Sequence, residues 1–258
     1  MGSVDLLQVA LGPCAHGCFT TRGAGAPPVT PAEPYAGLNL AAHVGDDPGT
    51  VARHRRRLAD ALELADDDIG WMNQVHSAVV ATARRGHVPT ADALVVERRD
   101  PRAPRAAGVL VADCVPVLLA TDDGGLVAAV HAGRRGMLDG VVPRTLAAFA
   151  ARGARADEVW AAIGPSVCGA CYEVPEEMRS AAAAIEPDCA ATTRWGTPGL
   201  DVAAGVRAQL RRAGVAHIAD GPWCTVEDRR FFSYRRDGTT GRIAGIAVVR
   251  SCQAVTEA

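Results

Sequence analysis

Three short segments of the sequence each place an imidazole or a thiol beside the end of a predicted strand. They are Gln74-Val75-His76, Ala112-Asp113-Cys114 and Val130-His131-Ala132-Gly133. A local zinc finger needs short Cys-x-x-Cys or His-x-x-x-His pairs, so these residues can meet only through tertiary folding. Two imidazoles and one thiolate would bind Zn²⁺ and leave a fourth position open, and the same set suits copper. The alternative is that each residue is simply packed beside a buried strand.

Cys168-Gly169-Ala170-Cys171 is a competing local motif. A Cys-x-x-Cys pair is half of a zinc site or a redox pair. No second Cys-x-x-Cys accompanies it, so a turn that happens to hold two thiols is the simpler interpretation. The chain has eight cysteines. In a cytosolic protein of this size, they favour ligands, nucleophiles or core positions over disulfides.

Two arginine motifs could bind an anion. Arg134-Arg135-Gly136 follows His131 at the start of a predicted helix, and Arg235-Arg236-Asp237-Gly238 follows an aromatic group. Arginine beside a helix N-terminus or a glycine turn suits phosphate, whereas the alternative is a solvated arginine on an Arg-rich surface. The aromatic group contains Phe231, Phe232 and Tyr234. It suits either stacking on a flat base or packing against a core.

Charge and composition exclude several classes of function. The 258 residues carry 27 basic and 29 acidic side chains, and every basic residue is arginine. The absence of lysine rules out a Schiff-base lysine, a Walker A loop and a Ser-x-x-Lys pair. The net charge of -2 gives no nucleic-acid footprint. Apolar runs fall short of the ~20 residues that span a bilayer. With no signal-peptide pattern at the start, we expect a cytoplasmic protein with no nucleic-acid or membrane partner; its oligomeric state stays open.

The hydrophobic pattern supplies the elements that must position these residues. Strands are predicted at residues 77–83, 109–111, 117–119, 126–130, 159–163 and 243–249. Helices are predicted from Asp47 to about Leu64 and at residues 138–151, 175–185 and 201–212. Asp122-Asp123-Gly124-Gly125 predicts a hairpin turn. Because hairpins alternate with strand–helix units, a mixed sheet is favoured over a purely parallel one.

Ten motifs in a fixed order carry a family resemblance. They are Thr20-Thr21-Arg22-Gly23, Gly37-Leu38-Asn39-Leu40, His43-Val44-Gly45-Asp46-Asp47, Trp71-Met72-Asn73-Gln74-Val75-His76, Ala91-Asp92-Ala93, Ala112-Asp113-Cys114-Val115-Pro116-Val117, His131-Ala132-Gly133-Arg134-Arg135-Gly136, Ile163-Gly164-Pro165, Tyr172-Glu173-Val174 and Phe231-Phe232-Ser233-Tyr234-Arg235-Arg236-Asp237. From about residue 16 to residue 250, the sequence resembles the YfiH/PgeF family, also called the multicopper polyphenol oxidoreductase or laccase domain.

The resemblance implies an α+β fold, a layered α/β/β/α sandwich with two mixed β-sheets, as a single domain over residues 1–258. It also implies a purine nucleoside phosphorylase that cleaves adenosine, inosine, guanosine or methylthioadenosine with phosphate. Some members of the family also deaminate adenosine. The family's zinc ligands fall on His76, Cys114 and His131 of this sequence.

This chemistry assigns further roles. Arg135 and Arg235 are the candidates for phosphate, and Asn39 and Gln74 for ribose hydroxyls. Asp113 has two possible roles. It orients a metal-ligating histidine and belongs with Arg135 to the catalytic residues, or it is a structural turn residue. One position departs from the family, because Arg134 stands where its members usually have Trp. The departure removes a large flat surface beside the metal.

Three other functions compete with the phosphorylase. A peptidoglycan-editing hydrolase would use Cys114 as its nucleophile and His131 as the base. A copper polyphenol oxidase would need more than one three-ligand site. A non-enzymatic metal-binding partner protein would have a saturated four-ligand site. Since Cys114 cannot be both a metal-bound thiolate and a free nucleophile, bound metal separates the first of these from the phosphorylase.

Overall fold

The computed structural model describes residues 4–252. Its strands are β1 (Leu6–Val9), β2 (Ala15–Thr20), β3 (Ile69–Gly70), β4 (Val80–Thr82), β5 (Ala93–Glu97), β6 (Ala106–Val111), β7 (Val115–Thr121), β8 (Leu126–Ala132), β9 (Val159–Ile163), β10 (Ala190–Thr192), β11 (Pro198–Leu200), β12 (His217–Asp220) and β13 (Ile243–Val249). Its helices are α1 (Pro48–Ala61), α2 (Arg134–Leu138), α3 (Val141–Ala150), α4 (Glu176–Ile185), α5 (Val202–Arg212) and α6 (Tyr234–Asp237). Between residues 4 and 252, no helix has the length and apolarity to cross a membrane. The prediction of one domain over residues 1–258 stays a prediction, and residues 1–3 and 253–258 lie outside the described part.

Two large sheets, both mixed, form the centre of the fold. One has the order β1-β2-β13-β6-β3 and the other the order β12-β9-β7-β8-β5-β4. In the first, β3 runs parallel to β6. In the second, the edge strands β12 and β4 run parallel to β9 and β5. The other pairs are antiparallel, as expected where short turns such as the one at residues 122–125 join consecutive strands.

Apolar side chains fill three layers. Between the sheets lie Phe19, Val109, Leu118, Ala129, Phe231 and Phe232. Helix α1 covers the outer face of the five-stranded sheet through Leu58 and Ala59, whereas α3 and α5 cover the six-stranded sheet through Phe149 and Val206. This is the layered α/β/β/α sandwich that the family resemblance implied. Strands covered on both faces read as continuous apolar runs, as β7, β8 and β13 do.

One expectation about the cysteines is wrong. Cys14 and Cys252 form a disulfide although 238 positions separate them. The reason lies in the register of the five-stranded sheet, where Val249 at the end of β13 pairs with Ala15 at the start of β2. The two cysteines flank this pair, so the sheet brings them together. The other six cysteines are free.

Gly164 illustrates how closely the two sheets approach. It follows β9, and its backbone N–H donates to the Pro116 carbonyl at 2.9 Å. A Cβ added at this position would lie 2.3 Å from a ring carbon of Phe19. Because Phe19 is fully buried in the layer between the sheets, neither its ring nor the backbone at Gly164 has room to move.

We expect Gly164→Ala to destabilise the fold by about 1–3 kcal/mol, the usual cost of forcing a methyl group into a packed core. Urea unfolding at equilibrium measures this change. The control is Gly49→Ala in the exposed first turn of α1, where the nearest atom to an added Cβ is an oxygen of the exposed Asp47 side chain at 3.3 Å. Its stability should stay within about 0.5 kcal/mol of the wild type. Equal unfolding midpoints for both variants would contradict the packing argument.

Candidate functional site

The register of three antiparallel strands brings the predicted ligands together. Cys114 immediately precedes β7, and His131 is the next-to-last residue of β8. These two strands form a hairpin in which His131 pairs with Pro116. On the other side of β8, Asp92 precedes β5, and its carbonyl accepts a hydrogen bond from the His131 backbone N–H at 2.7 Å. The start of β5, the start of β7 and the end of β8 therefore meet at one edge of the sheet.

A buried carboxylate positions the third ligand, His76, which lies in a tight turn with φ of 60°. The fully buried side chain of Asp92 accepts hydrogen bonds from the backbone N–H groups of Val75 (3.3 Å), His76 (3.0 Å) and Ser77 (2.6 Å). The Ser77 hydroxyl donates to it as well, at 2.7 Å. These bonds offset the strain of the left-handed backbone at His76, a conformation that non-glycine residues seldom adopt.

His76, Cys114 and His131 form a compact donor set. Each offers one ligand atom, and these atoms lie within 4.8 Å of one another. Cys114 Sγ is 3.7 Å from His76 Nε2, and the two imidazole rings meet edge-on with centroids 4.7 Å apart. His131 Nδ1 donates to Asp92 Oδ1 at 2.8 Å. This bond leaves Nε2 as the nitrogen free to bind a metal, as is usual for ligating histidines.

Gly133 keeps this cluster open. A Cβ at position 133 would lie 2.8 Å from His76 Cδ2 and 3.2 Å from Cys114 Sγ. Any side chain here would therefore fill the space between the ligands. One thiol and two imidazoles around such a space fit zinc or copper.

Charge within the cluster favours the thiolate form of Cys114 and the protonated form of His131. Burial raises the pKa of the Cys114 thiol, but the facing His131 and His76 outweigh this effect and lower it to about 6. Burial lowers the pKa of His131, but Cys114 and Asp92 outweigh it in turn and raise the value to about 9. Burial also raises the pKa of Asp92, yet its hydrogen bonds from His131 and Ser77 hold it below its ordinary range. The thiolate thus exists near neutral pH, and a metal would replace the proton on His131.

The cluster opens into a cavity of about 670 Å³, within the range of ligand-binding pockets. Besides the three ligands, its walls contain Tyr172 and Tyr234 and a group of basic side chains. The basic residues are His43, Arg134, Arg235 and Arg242. The cavity therefore combines a metal-binding donor set, aromatic surface and positive charge.

Gln74 and Arg235, both predicted for substrate, line this cavity. The Gln74 amide bonds the backbone of Leu110 in both directions, donating at 2.8 Å and accepting at 2.9 Å. One amide hydrogen and one lone pair of Gln74 stay free for a ligand. The Arg235 guanidinium lies over the Tyr172 ring at 4.7 Å. Of the aromatic group beside Arg235, only Tyr234 reaches the cavity, because Phe231 and Phe232 are core residues.

Two substrate candidates need correction. Asn39 is fully buried; its amide group donates to Ala41 and Asp46, and its oxygen accepts from the N–H groups of Ala41 and Arg242. With every hydrogen-bonding position used, Asn39 cannot hold a ribose hydroxyl. Arg135 is exposed and lies outside the described cavity lining, whereas its neighbour Arg134 lies within it.

Asp113 does not orient a histidine. Its carboxylate accepts from the Thr225 hydroxyl at 2.6 Å and from the Arg235 backbone N–H at 2.7 Å. It therefore fixes the loop that carries Arg235, and Asp92 orients His131 in its place. No role was predicted for Asp92. The available signal was a carboxylate directly before an apolar strand, inside the motif Ala91-Asp92-Ala93.

Comparisons with known proteins identify the family. The family model described as multi-copper polyphenol oxidoreductase laccase matches residues 16–250. A Streptomyces coelicolor protein named purine nucleoside phosphorylase is 52% identical over 90% of this chain and 94% of its own length. One of the same name from Corynebacterium glutamicum is 46% identical over 88% and 92%.

Solved structures share the fold. The crystal structure of YlmD from Geobacillus stearothermophilus superposes with a TM-score of 0.82 at 30% identity, covering 96% of this chain and 100% of that one. A Neisseria meningitidis protein superposes with a TM-score of 0.80 at 33% identity, covering 95% and 99%. On the extent of the family match and of these similarities, the chain belongs to the YfiH/PgeF family, the multi-copper polyphenol oxidoreductase laccase family.

Proposed function

We propose that this protein is a zinc-dependent purine nucleoside phosphorylase that cleaves adenosine, inosine, guanosine or methylthioadenosine with phosphate. The observation that carries the proposal is the convergence of His76, Cys114 and His131 on a cavity that also holds arginine and tyrosine side chains. Relatives named purine nucleoside phosphorylase support the activity. Deamination of adenosine would be a second reaction of the same cavity.

The metal would be held by three protein ligands. When bound, zinc supplies a Lewis acid that orients the nucleoside and stabilises charge developing as the glycosidic bond breaks. The non-enzymatic alternative requires a fourth protein ligand, and among residues 4–252 the cluster offers three. Copper suits the same donors, but oxidation of polyphenols by several coppers needs more ligands than this cluster has.

Phosphate must approach the anomeric carbon while the purine leaves. We assign it to Arg134, Arg235 and Arg242, since all three line the cavity. Guanidinium groups bind phosphate oxygens in pairs and hold one of them in line for attack. As the bond from the anomeric carbon to the purine nitrogen breaks, the sugar acquires oxocarbenium character, by analogy with glycoside cleavage. The bound phosphate dianion then stabilises that positive charge and forms the new bond.

The purine base and the ribose of the nucleoside would contact different walls of the cavity. The exposed ring of Tyr234 offers a flat surface for a purine, whereas the Arg235 guanidinium already covers one face of the Tyr172 ring. The free amide positions of Gln74 suit a ribose hydroxyl. Arg134, which replaces the family's Trp, adds a positive charge where that residue would add a ring. We infer that this exchange strengthens phosphate binding at the expense of aromatic contact.

One observation favours a second candidate function. Cys114 and His131 offer ligand atoms within 4.8 Å of each other, and the pKa of the thiol is lowered while that of the imidazole is raised. Without a metal, this arrangement suits the thiolate–imidazolium pair that cysteine hydrolases use. A peptidoglycan-editing hydrolase would attack with the Cys114 sulfur and use His131 as the base. Metal content separates the two functions, because a thiolate bound to zinc is not free to attack.

We expect His76→Ala to lose bound zinc from this cluster and to retain less than about 1% of the phosphate-dependent release of base from adenosine and inosine. His76 is exposed, so the variant should fold normally. Metal analysis and chromatographic detection of free base measure the two effects. The matched control is His87→Ala, which changes an exposed histidine outside the cavity and should retain both properties. Full activity in His76→Ala that has lost zinc from this cluster would reject the phosphorylase proposal and favour Cys114 as a nucleophile.

We expect Asp92→Asn to weaken zinc binding about 10- to 100-fold, the usual effect of removing the acceptor behind a ligating histidine. The amide keeps the size of the carboxylate but loses its charge and one acceptor oxygen. Competition with a chromophoric chelator measures the affinity. Asp122→Asn, at an exposed turn, is the control. An unchanged affinity in Asp92→Asn would show that Asp92 does not orient His131.

We expect Arg134→Ala to raise KM for phosphate by about 10- to 100-fold, the effect of removing a charge-assisted hydrogen bond. Arg135→Ala is the matched control, because the adjacent guanidinium lies outside the cavity lining. Its KM for phosphate should match the wild type. Steady-state kinetics with phosphate varied at saturating inosine distinguish the variants, and the reverse order of effects would restore Arg135 as the phosphate ligand.

A further inference from the structure

Three thiols and one carboxylate meet between two turns beside the cavity. Cys168, Cys171, Cys224 and Glu227 each offer one ligand atom, and these four atoms lie within 4.8 Å of one another. Cys171 and Cys224 are buried, Cys168 is half-buried, and Glu227 is exposed at the rim. In tetrahedral zinc sites with Zn–S bonds of about 2.3 Å, neighbouring sulfurs lie about 3.8 Å apart. The cluster is therefore close to the dimensions of a zinc site.

The backbone of the first turn presents two sulfurs together. The Cys171 N–H donates to the Cys168 carbonyl at 2.9 Å, which closes the turn. The Tyr172 N–H donates to the same carbonyl at 3.0 Å. These bonds hold Cys168 and Cys171 on one short turn, so both sulfurs can reach one metal ion.

The second turn repeats this spacing. In Cys224-Thr225-Val226-Glu227, the carboxylate stands where a second cysteine would stand in Cys-x-x-Cys. The Cys224 carbonyl accepts from the Asp228 N–H at 2.8 Å, and the Thr225 N–H donates to the Ser166 carbonyl at 3.0 Å. This last bond joins the loop after β9 to the loop after β12. Cys168 and Cys171 have no second Cys-x-x-Cys pair to complete a zinc site, and the neighbouring loop supplies Cys224 and Glu227 instead.

A positively charged side chain, Arg194, contacts the cluster. Arg194 donates from Nη2 to Cys171 Sγ at 3.0 Å and forms an ion pair with Glu227. Burial raises the pKa of Cys171 to about 12, and Cys224 adds to this shift. Adjacent thiolates repel one another in such a place unless a positive charge offsets them, and a divalent metal supplies more charge than one guanidinium.

We propose that Cys168, Cys171, Cys224 and Glu227 bind a second zinc ion with a structural role. Three sulfurs and one carboxylate complete four-coordinate zinc and leave no position for substrate, as in structural sites. Binding would deprotonate the thiols and release their protons to solvent. None of these ligands belongs to the His76, Cys114 and His131 set. The second site can therefore be tested independently of the phosphorylase proposal.

A metal in the second site would restrict the movement of two walls of the cavity. Tyr172 directly follows Cys171 and lies under Arg235. Thr225 directly follows Cys224, and its hydroxyl holds Asp113. A metal joining the two turns thus fixes both the aromatic surface and the carboxylate that positions the Arg235 loop. A structural metal so near the reaction centre would therefore keep the cavity walls in position.

The test counts zinc in the full-length protein, purified with reductant, loaded with zinc and freed of excess metal by gel filtration. We expect about two zinc ions per chain in the wild type and about one in His76→Ala. Adding Cys224→Ser to His76→Ala should remove the remaining ion. Cys189→Ala is the matched control, since it removes a buried thiol outside both clusters and should leave the wild-type count.

A second readout examines the ligands directly. In His76→Ala loaded with cobalt, we expect strong thiolate-to-cobalt charge-transfer absorption that disappears when Cys224 is replaced. If Cys224→Ser fails to fold, Glu227→Gln changes only the exposed ligand and should weaken zinc binding about tenfold or more in the His76→Ala background. A metal-free His76→Ala protein, a zinc count insensitive to both substitutions, or a disulfide among these three thiols under reductant would each overturn the second site.

Discussion

The buried carboxylate of Asp92 is the interaction on which the rest of the site depends. A charge removed from water is costly unless hydrogen bonds replace its hydration. Asp92 receives that replacement from the turn at residues 75–77 and from His131. One side chain therefore joins the start of β5, the end of β8 and a strained turn. The same bonds that make its burial tolerable set the separation between the two histidines.

The layered sandwich explains why such a site forms at a sheet edge. The strands β7 and β8 are buried along their whole length. Their polar side chains Thr121 and His131 lie near strand ends, where neighbouring loops supply hydrogen-bond partners. Polar groups collect where the strands end and loops begin, as functional groups on sheet scaffolds commonly do. Two carboxylates at this edge of the sheet have different positioning roles. Asp92 positions the donor set for the metal, and Asp113 positions the loop carrying Arg235.

The sequence predicted the layers and the donor set well, but not the contacts of individual side chains. Apolar periodicity locates strands, and a family motif locates His76, Cys114 and His131. Which of two adjacent arginines faces a cavity depends on the phase of α2, since successive helical residues point about 100° apart. The disulfide of Cys14 with Cys252 depends on strand register. Asn39 is polar like a ligand, and only its neighbours show that its hydrogen bonds are already used.

The laccase description of the family and the phosphorylase proposal place different demands on one cavity. Oxidation of a neutral phenol requires redox-active metal and gains nothing from arginines. Transfer of a sugar to phosphate requires positive charge beside the electrophilic carbon, and Arg134, Arg235 and Arg242 line this cavity. Three guanidinium groups on the walls of one cavity suit an anion such as phosphate. One of them, Arg134, stands where the family resemblance places Trp, so anion binding accounts for a feature that phenol oxidation leaves unexplained.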